Sequence, residues 1–152
     1  MSYTVFEGRE KVLNDLAIAI EQISVAIAAL GEAYEQLDEH NADVLEEQLF
    51  RPVQHAYGRA KRTHAEFASR SGLPGRTFEF ATPGSQAQSV QELIDRAVVA
   101  SAYADQTIAE LQDSMLPVEV GDTELRAGLA NVRESLGNVA VRARNLVRTV
   151  GR

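Results

Sequence analysis

Leu13-Asn-Asp-Leu-Ala-Ile-Ala-Ile-Glu-Gln-Ile-Ser-Val-Ala-Ile-Ala-Ala-Leu-Gly-Glu-Ala-Tyr-Glu-Gln-Leu37 sets apolar residues at positions 13, 16, 20, 23, 27, 30, 34 and 37. The steps alternate between three and four, the stepping that keeps one face of a helix seated between the side chains of its neighbours. The same stepping returns at Phe50, Val53, Tyr57, Ala60, His64 and Phe67. A third run joins Val90, Ile94, Ala97, Ser101, Ala104, Ile108, Leu111 and Met115, and a fourth joins Leu125, Leu129, Val132, Leu136, Val139, Ala143, Leu146 and Val150. Four stripes in one chain of 152 residues predict an all-α fold: an antiparallel four-helix bundle occupying residues 1–152 as one domain. The expected helices cover 4–39, 42–71, 85–115 and 122–150.

Breaker and capping residues punctuate the stripes. His40-Asn41 allows a very short connection with Asn41 as N-cap, and Ser85 and Asp122 are candidate caps for the third and fourth helices. Pro52 falls inside the second stripe and should kink that helix or split it after a short segment from Ala42 to Phe50. Between the second and third stripes, Gly72 to Gly84 holds three of the ten glycines, two of the four prolines and two of the five phenylalanines. If Thr77 to Thr82 is extended, Phe78 and Phe80 point to one side, as in a strap laid over the bundle. Thirteen extended residues reach ~43 Å, the length of a ~28-residue helix, so a full-length crossover fits the chain. An extra loop turn is less demanding than a taut strap, and up-down-up-down is the preferred expectation.

Charge alternates along the chain. Residues 1–50 carry −9, 51–76 carry +5, 77–122 carry −7 and 123–152 carry +4, for a net charge of −7. A ring of helices in the order 1-2-3-4 would place opposite charges on every neighbouring pair and disfavour other orders.

The same composition narrows function. Net negative charge argues against nonspecific nucleic-acid binding, which depends on Lys and Arg neutralising phosphates. The absence of cysteine excludes disulfides, thiolate metal sites and a cysteine nucleophile, and fits a cytoplasmic setting. The most apolar run, Leu16 to Leu30, is interrupted by Glu21, Gln22 and Ser24 and is shorter than the ~20 residues of a membrane span, so no membrane association is expected. No Glu-x-x-His occurs, and no stripe carries an acidic residue, so neither a metal nor another cofactor is expected. Phosphate-binding and nucleophile-elbow motifs are absent, and a binding protein rather than an enzyme is expected.

Two sets of residues invite a ligand. His64 faces the bundle axis and could pair with Tyr57 or Ser101, where the small residues of the third stripe leave room for an apolar molecule. His55 lies on the outer side of helix 2 among Arg51, Arg59 and Arg62. Over a few residues this stripe is similar to the phosphoacceptor surroundings of histidine phosphotransfer domains. It departs from them in placing Gly58 at the third position, where the pattern has a Lys or Arg followed by Gly.

The third candidate is a contact surface. Ile18, Gln22, Val25 and Ala29 form an outer ridge on helix 1, a place where a water-facing helix should carry charge. Phe78 and Phe80 on the strap are a second apolar pair. Together they predict a protein that works through protein–protein contact, by self-association or as a small subunit of an assembly.

Overall fold

A computed structural model of the chain describes residues 4–81 and 88–150. The fold is all-α, and the described residues contain no strand. The elements are α1 (Val5–Gln36), α2 (Glu39–Leu45), a π-helical turn (Glu46–Phe50), α3 (Arg51–Ser71), α4 (Val90–Asp113), α5 (Leu116–Glu119), α6 (Thr123–Leu136) and α7 (Val139–Val150).

Local chemistry sets their ends. Thr4 and Glu7 form a reciprocal capping box at α1, and Ser89 and Glu92 do the same at α4. The third helix therefore begins at Val90 rather than at 85; Ser85 itself lies outside the described residues. Asp122 caps α6 as expected, its carboxylate accepting the Leu125 N–H at 2.8 Å. Asn41 is not a cap: α2 begins at Glu39, and the Asn41 side chain donates to Asp38 at 2.6 Å. The second helix ends at Gly72 in the left-handed region (φ 68°), with Leu73 N–H donating to the Ala68 carbonyl at 2.9 Å.

Pro52 does not break its helix. The backbone stays helical from α2 into α3, and the disturbance appears just before the proline as the π turn. Pro52 has no N–H for the Gln48 carbonyl four residues back. Arg142 Nη1 on α7 donates to that carbonyl at 3.4 Å. The expected continuous fourth helix is instead two, α6 and α7, separated by Gly137-Asn138. Its stripe survives the interruption, because Leu136 and Val139 on either side are both buried.

α1, α3, α4, α6 and α7 pack against one another. The four stripes face inward, and only Tyr34 and Met115 among their members are exposed. α1 is the most enclosed: Ala19, Ala26 and Ala33 beside its stripe are fully buried and let α4 approach closely.

Connectivity departs from the expectation. Gln36 at the end of α1 donates to the Gln88 carbonyl just before α4, while Arg9 near its start donates to the Val120 carbonyl after α4. α4 is thus antiparallel to α1. Gly31 lies beside Phe50, and Arg70 at the far end of α3 pairs with Asp122 at the start of α6, so α3 is also antiparallel to α1. α3 and α4 therefore run in the same direction, and the segment between them crosses the length of the helices. Up-down-up-down is overturned.

Helix order changes with it. α1 packs most extensively on α4, and α3 on α6. The two acidic helices are neighbours, each with net charge −4. The alternating charge ring is not formed, because the crossover carries the chain past α1 before α4 begins. Positive charge gathers in α3 and in α7, whose three arginines face no acid on their own helix.

Candidate functional site

The strap explains the crossover. Phe78 is half-buried and stands edge-on to the His64 ring, with centroids 5.2 Å apart at 86°. Phe80 lies over Tyr57 at 5.4 Å, and Lys61 Nζ sits 4.5 Å from the centre of the same tyrosine ring. A step of two along the strap meets a step of seven along α3, which puts both phenylalanines on one helix face. On the other side Ser24 of α1, itself buried, serves the strap backbone: its Oγ accepts the Ala81 N–H at 2.7 Å and donates to the Glu79 carbonyl at 3.5 Å. Arg76 donates to Asn14 Oδ1 near the strap's start. Ser24, which interrupts the most apolar stretch of the chain, is there to hold a strap.

His64 is 1% exposed, and neither ring nitrogen has a hydrogen-bond partner. Burial first, and then the Arg76 guanidinium, lower its pKa; the Leu13 backbone acts weakly the other way. Tyr57 OH and Ser101 Oγ are also buried without partners, so the expected pairing of His64 with either is not formed. Burial raises the Tyr57 pKa. Phe78 packs against the His64 ring, and the two larger cavities described below are lined by other residues.

His55 is exposed, with Nε2 3.1 Å from Asn131 Oδ1 on α6. Arg51 and Arg62 are exposed and Arg59 half-buried. Among the described residues the ion pairs are Lys11–Asp15, Arg70–Asp122 and Arg133–Asp105, so none involves this stripe. The described residues contain no group of three His, Asp or Glu arranged to hold a metal ion.

A surface concavity lies between the two acidic helices. Gln22 and Val25 of α1 face Gln88, Glu92, Asp95, Arg96, Val99 and Ala100 across about 470 Å³. Ile18 continues the α1 wall one turn earlier, and Tyr103 continues the α4 wall one turn later. Val99 is 69% exposed, Tyr103 55% and Ile18 42%. Ala29 drops out of the expected ridge, since α4 and its neighbours leave it only 4% exposed. A second groove of about 370 Å³ lies between α4 and α7, with Val98, Ala143 and Val147 along its floor and Asp95, Arg144 and Arg148 on its rim.

Sequence periodicity finds the apolar members of the first groove one helix at a time. It does not reveal that Val25 and Val99 line one groove, or that Glu92 and Asp95 stand on its rim, because that depends on α1 and α4 being neighbours. Comparison with known protein families, with characterised proteins and with solved structures finds no match to this chain.

Proposed function

We propose that this chain is a non-enzymatic interaction protein, a four-helix bundle with a crossover strap, whose outer α1/α4 face docks a basic helix with an apolar side. Two acidic helices packed side by side around exposed Ile18, Val99 and Tyr103 carry this reading. A groove between helices is a recurrent seat for an amphipathic helix. Exposed apolar side chains gathered in a groove with a polar rim mark contact surfaces. Glu92 and Asp95 on that rim, beside a net-acidic α1, would draw a basic partner and reject an acidic one.

A labelled Leu/Lys amphipathic peptide tests the reading by fluorescence anisotropy. Saturable binding to the wild-type chain, weakened by added salt and lost in Val25→Glu and Val99→Glu, is the expected result. Both substitutions add negative charge, so attraction to charge alone would strengthen binding; undiminished binding in the variants would remove the proposal.

A further inference from the structure

We infer that the docked partner is a second copy of this chain, related by a two-fold axis running alongside α4, so that α1 of each copy faces α7 of the other. The inference rests on the docking reading above and names its occupant. α4 lies between α1 and α7, with a groove on each side, and its outward ridge carries the exposed Val99. Self-association across this ridge has two simple symmetric forms. An axis perpendicular to the helices would lay acidic α1 on acidic α1. An axis parallel to the helices exchanges the flanks, setting acidic α1 against α7, whose arginines face no acid on their own helix.

The levels also match. Gln88, just before α4, meets Gln36 at the end of α1, and Val90 and Ile94 line a cavity with Val147 and Val150 of α7. α7 and the last turns of α1 therefore sit at the same height, and rotation about an axis parallel to the helices preserves that height. Glu32 of one copy, on the same side of α1 as Ile18 and Val25, then faces Arg144 and Arg148 of the other, twice in the dimer. Asp95 on the α7 side of the ridge is set toward Arg96 on the α1 side of the second copy. Val99 lies against its own counterpart on the axis.

A charge exchange tests this arrangement by native mass spectrometry, with far-UV circular dichroism to confirm helicity. The wild-type chain is expected at twice 16.6 kDa. Glu32→Arg, and separately Arg144→Glu with Arg148→Glu, should each be monomeric and helical. An equimolar mixture of the two variants should recover a mixed dimer, because both α1–α7 contacts become complementary again. A monomeric wild-type chain, variants that stay dimeric, or folded variants that fail to pair when mixed would overturn the inference. The peptide titration then decides the docking reading separately: peptide bound by a monomeric wild-type chain would leave that reading standing with another partner.

Discussion

The Phe78 ring stands edge-on to the His64 imidazole, 5.2 Å from centre to centre, and fastens the crossover strap to α3. His64 is buried there, and burial is the main cause that disfavours its charged form.

The sign of the pH effect follows. The folded-state pKa of His64 lies below its ordinary 6.5, so the unfolded chain binds the proton more readily. No penalty exists above pH 6.5, and stability falls as pH drops below it. Urea midpoints should decline from pH 7.5 to 5.5, and His64→Leu should flatten that decline. An unchanged slope in His64→Leu would place the titrating group elsewhere. Asp122 acts in a lower window: its hydrogen bonds from Arg70 lower its pKa below 3.8, so that contribution is present above 3.8 and lost as pH falls through the depressed value.

The strap's two phenylalanines should differ. Phe78 is half-buried against His64, whereas Phe80 is 65% exposed. Phe78→Ala should destabilise by about 1–2 kcal/mol, below the full-burial figure because the ring is only partly enclosed. Phe80→Ala should change stability by less than about 1 kcal/mol. Equal losses in chemical denaturation would contradict the arrangement.

Ser24→Ala leaves the half-buried Ala81 N–H without its acceptor and should destabilise by about 0.5–1.5 kcal/mol. Hydrogen exchange at Ala81 is the direct reading, with the amide expected to lose protection in the variant.

Two glycines should respond in opposite directions. A Cβ at Gly128 would overlap the Thr63 hydroxyl, where α6 crosses closely over α3. Gly128→Ala should therefore destabilise by about 1–3 kcal/mol. Gly58 is exposed inside α3 with no atom within 4 Å of an added Cβ. Gly58→Ala should stabilise by about 0.5–1 kcal/mol, as for any exposed helical glycine. Thermal unfolding of the two variants checks both signs.

Pro52 and Arg142 should be coupled. Arg142→Met removes the donor to the Gln48 carbonyl and should destabilise by about 0.5–1.5 kcal/mol. In a Pro52→Ala background the chain can supply its own N–H to that carbonyl, and the loss should shrink. A double-mutant cycle measures the difference, and strict additivity would remove the link.

Much of the helical content was legible because it is local. Leu13 to Leu30, Val53 to Phe67, Ile94 to Leu111 and Leu125 to Leu146 announce their buried faces by spacing alone. Ser89 and Glu92 carried a capping-box signal equal to that of Thr4 and Glu7, and Gly137-Asn138 marked the break between α6 and α7. Those signals were overshadowed by Ser85 and by an unbroken stripe. The interior role of His64 was visible, but its partner was not, since Phe78 reaches it only through the crossover.

What the amino-acid order determined by itself is the set of helices, their inward faces and the alternation of charge along the chain, each a property of residues a few positions apart. Tertiary structure alone decided which helices are neighbours. Ser24, Tyr57 and His64 hold a strap that runs the length of the helices, and this makes α3 and α4 parallel and sets acidic α1 beside acidic α4. The physical reason is one of magnitude: burying the apolar faces of α1 and α4 against each other is worth kilocalories per side chain, whereas exposed like charges on neighbouring helices oppose it by only tenths.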